Sequence, residues 1–155
     1  MEKWKVVAAI GIFLLIASAY LLYSSPELKY AEIVSDLSVL DKADSITITA
    51  SNFTAVQGHL QFEIAPVDGY LINATVFIDT DDPGAAIDVY SSLPVKVETS
   101  GYDNATIIIP PAVDQAVTFD VLFTFTNTSI QHPVQIIVED SVSNVNATET
   151  VYALP

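Results

Sequence analysis

From residue 45 onward, apolar and polar positions alternate with a period of two. Residues 45–51 (SITITAS) alternate around Ile46 and Ile48. In residues 59–65, Leu60, Phe62 and Ile64 share one face, and His59, Gln61 and Glu63 share the other. Residues 70–79 turn Tyr70, Ile72, Ala74, Val76 and Ile78 inward and leave Asn73 and Thr75 outward. Residues 117–126 align Val117, Phe119, Val121, Phe123 and Phe125, and residues 133–139 align Val134, Ile136 and Val138. Shorter runs lie at 86–90, 95–99, 104–109 and 148–154. Such alternation marks half-buried strands, because successive side chains of a strand point to opposite faces. Gly, Pro and Asp clusters separate the runs, as at Pro66-Val67-Asp68-Gly69 and Asp81-Asp82-Pro83-Gly84. Eight or nine short strands at this spacing predict an all-β fold, an antiparallel two-sheet β-sandwich over residues 45–155. The Cys–Trp–Cys pattern of true immunoglobulin domains is missing, so "immunoglobulin-like" describes architecture only.

The pattern before residue 45 is different. Residues 6–23 (VVAAIGIFLLIASAYLLY) form an uncharged apolar run. As a helix it would reach about 27 Å at 1.5 Å per residue, close to the ~30 Å hydrocarbon core of a bilayer. Lys3 and Lys5 precede the run, and acids dominate the chain beyond it. The positive-inside rule then makes residues 1–5 a cytoplasmic tip and 6–23 a single transmembrane signal-anchor helix. Residues 24–44 become a stalk and 45–155 an extracytoplasmic domain. Trp4, Tyr20 and Tyr23 fall where interfacial aromatics are expected. The competing reading is a signal peptide cut after Ala17-Ser18-Ala19, which also exports the domain.

Composition narrows the function classes. There are 19 acids against five lysines and no arginine, for a net charge of -14. Nucleic-acid binding is excluded, because phosphate neutralisation needs clustered Lys and Arg. Cysteine is absent, which removes thiolate metal sites, thiol nucleophiles and disulfides. Five of the six asparagines begin an Asn-x-Ser/Thr acceptor: Asn52, Asn73, Asn104, Asn127 and Asn146. With Ser and Thr at about a sixth of the chain, roughly one such match is expected by chance. The acceptors therefore predict an N-glycosylated surface protein. Dense acceptors without cysteine point to an archaeal cell surface, since comparable eukaryotic domains usually carry disulfides.

Candidate chemistry is sparse. Asp79, Asp81 and Asp82, followed by Asp88, resemble the first half of a calcium loop, but Tyr90 stands where a bidentate glutamate would close it. A simpler calcium site between sandwich loops is the one cofactor expectation, against a solvated acidic turn. His59 and His132, the two histidines, read as exposed loop-edge residues. No Gly-x-Ser-x-Gly, His-Glu-x-x-His or phosphate loop occurs, so no enzyme activity is expected. Between Asn73 and Asn104 no acceptor occurs, and Tyr90, Leu93, Lys96 and Tyr102 there are candidate partner contacts.

One helix followed by a small sandwich resembles, in organisation, the accessory proteins of the archaeal motility filament. The expected role is a structural or interaction component of the cell envelope, contacting a surface-appendage or surface-layer protein, with self-association as a further option. Two alternatives stand beside it. One is a filament subunit that donates residues 20–23 as a strand after cleavage near Ala19. The other is a non-catalytic small subunit of a membrane respiratory or oxidase complex.

Overall fold

The period-two runs become ten strands in a computed structural model that describes residues 40–98 and 103–155. They are β1 (Ser45–Ala50), β2 (Phe53–Thr54), β3 (His59–Val67), β4 (Ala74–Thr80) and β5 (Ala86–Ser91), then β6 (Lys96–Glu98), β7 (Asn104–Ile108), β8 (Val117–Thr124), β9 (His132–Asp140) and β10 (Val145–Leu154). Two sheets result, a four-stranded one in the order β1-β3-β8-β5 and a six-stranded one in the order β2-β10-β9-β4-β7-β6. The all-β, two-sheet architecture expected from the pattern is thus present. The expected membrane segment, residues 6–23, lies outside the described residues, as does the stalk up to residue 39.

The faces follow the alternation. Leu60, Phe62 and Ile64 of β3 are buried, as are Val117, Phe119 and Val121 of β8 and Val134, Ile136 and Val138 of β9. Phe62 and Phe119, directly paired across β3 and β8, stack at 5.0 Å between ring centroids. Phe53, Phe123 and Phe125 form a second aromatic group, with centroids 5.4–6.4 Å apart. Each such side chain contributes about 1.5–3 kcal/mol by leaving water, so this chain without disulfides rests on its core.

Three features depart from the sequence expectation. The strand β2 is only two residues long and pairs with β10 in parallel, so the sandwich is not wholly antiparallel. The chain from Tyr70 to Asn73 does not extend β4. Tyr70 and Leu71 form isolated bridges to Lys42 and Val113, and the N–H groups of Ile72 and Asn73 turn to the Asp140 carboxylate. The end of the expected stalk also joins the sandwich: Ala43 is buried and its N–H donates to the Tyr70 carbonyl at 3.0 Å. Gly69 permits this approach, because a Cβ there would lie 2.5 Å from the Lys42 carbonyl oxygen.

Candidate functional site

Polar chemistry gathers at one end of the sandwich, where the β4–β5 loop meets the β8–β9 loop. Asp82 is buried at 5 % exposure. Its Oδ2 accepts the Thr126 N–H at 2.7 Å, and the Thr126 hydroxyl lies 2.8 and 2.9 Å from the two carboxylate oxygens. Its Oδ1 also accepts the Gly84 N–H at 3.0 Å. His132 opens β9 and is 3 % exposed, a correction to the expected loop-edge position. Its ring stacks on Phe125 at 4.5 Å and 6°. Its Nδ1 lies 2.8 Å from Asp81 Oδ1 and its Nε2 lies 2.5 Å from the Asn127 carbonyl oxygen. Both partners are pure acceptors, so the geometry is satisfied only when both ring nitrogens carry protons.

The electrostatics agree with that assignment. Burial disfavours the charged form of His132, but the Asn127 carbonyl, the Asp81 carboxylate and the charge of Asp82 outweigh it and hold the pKa above the ordinary histidine value. Burial likewise opposes ionisation of Asp82. The hydrogen bonds from Thr126 and Gly84, with His132 nearby, prevail and hold its carboxyl below the usual value. Since β4 and β9 belong to one sheet and β5 and β8 to the other, this group of residues clasps the two sheets together.

The four acids expected as calcium ligands do not converge. Asp79 is exposed on β4, and Asp88 is exposed on β5 in the opposite sheet. Asp81 faces His132 and Asp82 faces Thr126. Among the described residues, no three His, Asp or Glu side chains group so as to hold a metal ion. No local motif announces the clasp, since the hydrogen bonds that join its two loops and β9 link residues 44 and 51 positions apart.

A second buried carboxylate secures the end of β9 from which the β9–β10 hairpin leaves. Asp140 is 2 % exposed. Its Oδ2 accepts the Ile72 N–H at 2.6 Å, and its Oδ1 accepts those of Val142 and Ser143 at 3.0 and 3.1 Å, with Asn73 at 3.3 Å.

The acceptor asparagines have a distinct geography. Asn104 and Thr106 point outward from β7, and Asn146 and Thr148 outward from β10, since strand period places both motif residues on one face. Asn73 directly precedes β4, with its Nδ2 donating to Ser141 Oγ at 2.9 Å. Asn52 precedes β2 and accepts the Tyr152 N–H of β10 at 2.9 Å. Asn127 lies in the exposed β8–β9 loop, where its Oδ1 accepts the Ser129 N–H at 2.9 Å. Four of the five thus lie in or beside the six-stranded sheet, and none lies in β1, β3, β5 or β8. A shallow depression of about 310 Å³ on that sheet is lined by Asn73, Thr75, Phe77, Glu139 and Asn146, among others.

The candidate partner contacts are dispersed. Tyr90 stands 61 % exposed on β5. Leu93 is half-buried and packs against the core. Lys96 belongs to the six-stranded sheet, where it pairs with Glu98 at 3.0 Å, and Tyr102 lies outside the described residues.

No family model and no curated protein matches the sequence. Solved structures with a similar arrangement include the human F-spondin reeler domain, at 6 % identity and TM-score 0.47 over 73 % of this chain and 91 % of that one. Another is AggB, the minor subunit of aggregative adherence fimbriae type I from Escherichia coli, at 12 %, 0.40, 72 % and 99 %. A third, AvmM, catalyses macrocyclization in alchivemycin A biosynthesis, at 9 %, 0.43, 72 % and 90 %. These likenesses concern architecture, and their spread over adhesion and catalysis carries no argument about function.

Proposed function

We propose that the chain is a membrane-anchored, N-glycosylated, extracytoplasmic β-sandwich. It serves as a non-enzymatic structural or interaction component of an archaeal cell envelope, an accessory of a surface appendage or surface layer. The observation that carries this reading is the placement of the acceptors. Asn52, Asn73, Asn127 and Asn146 are exposed, and motif pairs within strands turn outward together. Phe77 and Ile137, directly paired across β4 and β9, are half-buried on the same outward face, and sugars there would cover apolar surface. The uncharged run at residues 6–23 supplies the anchor and the route across the bilayer.

Intact-mass and glycopeptide mass spectrometry of the protein from its native membrane tests the proposal. The expected result is an N-terminus upstream of residue 6, with sugar on the acceptors. Thr148→Ala should remove the glycan at Asn146 alone and leave the fold unchanged, because Thr148 is exposed. A cytosolic product, unmodified at all five asparagines, would overturn the reading.

A further inference from the structure

We propose that the outward face of β3, β8 and β5 docks a protein partner presenting lysine or arginine; this deepens, and rests on, the proposed envelope role. Strand register sets six side chains there in two rows, Gln61–Asp120–Tyr90 and His59–Leu122–Asp88. Leu122, on the inner strand β8, and Tyr90, on the edge strand β5, are 41 % and 61 % exposed, so large apolar surface stands on a face without glycan acceptors. Asp88 lies two residues from Tyr90 on the same strand, and Asp120 lies directly across from it. An aromatic ring flanked by carboxylates suits a cationic side chain, which gains from the ring face and from charge-assisted hydrogen bonds. The stem of that side chain would lie on Leu122. His59 Nε2 lies 3.1 Å from Asp120 Oδ1.

Charge selects the occupant. Glu63 adds a third acid to this outward face, and no lysine lies on its strands. A second copy of the chain carries a net charge of -14, no arginine and five lysines, two of them ahead of the apolar run. It would repel rather than complement the face. A basic surface on a different protein fits it.

The test places a photoreactive residue in the full chain in its native membrane, as Leu122→p-benzoylphenylalanine, and identifies the crosslinked peptides by mass spectrometry. The expected adducts join Leu122 to a segment of another protein in which Lys or Arg neighbours the crosslinked residue. Asp88→Asn combined with Asp120→Asn should cut the yield roughly tenfold, as loss of complementary charge does. High salt should do the same with both acids intact, a readout independent of how the double variant folds. Thr150→p-benzoylphenylalanine, on the outward face of the six-stranded sheet, should give only background. Adducts with a second copy, adducts to segments without basic residues, yields indifferent to salt, or no adducts would each overturn the inference. Glycopeptides and membrane fractionation from the same sample report separately on the envelope role. A glycosylated membrane protein without these adducts defeats the docking surface alone.

Discussion

Replacing His132 by glutamine removes the cation that joins Asp81 to the Asn127 carbonyl, together with the ring stacked on Phe125. The hydrogen bond to a charged group is worth about 1.5–3 kcal/mol, and the lower end applies because the Asp81 side chain is 48 % exposed and solvent screens it. The Asn127 carbonyl, part-buried in an exposed loop, costs about 1–2 kcal/mol more when it loses this donor. The expected loss is therefore about 2.5–3.5 kcal/mol at mildly acid pH. At about 5 °C per kcal/mol for a domain near this size, that lowers the melting temperature by roughly 10–20 °C.

The pH dependence carries more weight than the size of the loss. The folded pKa of His132 is raised above the ordinary value of 6.5. Its contribution is complete below that value and is lost as pH rises through the folded pKa, because one ring nitrogen then meets an acceptor with a lone pair. Asp82 behaves in the opposite sense. Its folded pKa lies below 3.8, so its contribution is present above 3.8 and is lost as pH falls through the folded value. The clasp is strongest between the two. Circular-dichroism melting of wild type and H132Q from about pH 5 to about pH 9 should show a gap that is widest at the acid end and closes as pH rises. A gap of constant width across the range would refute the doubly protonated ring.

Two further outcomes rest on packing. Asp140→Ala strips the acceptor from four backbone N–H groups. At about 1–3 kcal/mol for each group left buried and unpaired, urea denaturation should show a loss of at least about 3 kcal/mol; a loss under ~1 kcal/mol would mean that water replaces the carboxylate. Gly58 sits at φ 64, where an added Cβ would overlap the Phe123 carbonyl oxygen. G58A should cost about 2–4 kcal/mol by combining left-handed strain with a backbone clash, and an unchanged denaturation midpoint would contradict the close approach of β3 and β8 at that turn.

The strand faces are legible because each apolar residue of a half-buried strand reports its own environment. Phe119, Val121 and Phe123 need no partner to be placed. Features that depend on two distant segments are not legible in that way. The two-residue β2 is too short to show a period, and its parallel pairing with β10 joins Phe53 to Ala153 across the whole domain. The acid loop leaves calcium open beside a solvated turn for the same reason: nothing near Asp81 and Asp82 in sequence announces that His132 and Thr126 already occupy them.

A signal for the clasp is nevertheless present in the alternation. The inward phase of β9 runs Val134, Ile136, Val138, and continuing it by one step in either direction reaches His132 and Asp140. The inward phase of β4 runs Val76, Ile78, Thr80, and one step more reaches Asp82. His132, Asp140 and Asp82 are all buried. A polar side chain that holds an apolar phase at a strand end is committed to the interior by the pleat. Burial without partners would cost several kcal/mol, so loops must supply them. Here the loops do: Asn127 and Asp81 for His132, Thr126 and Gly84 for Asp82, Val142 and Ser143 for Asp140. Both ends of β9 therefore lock loops onto the sandwich.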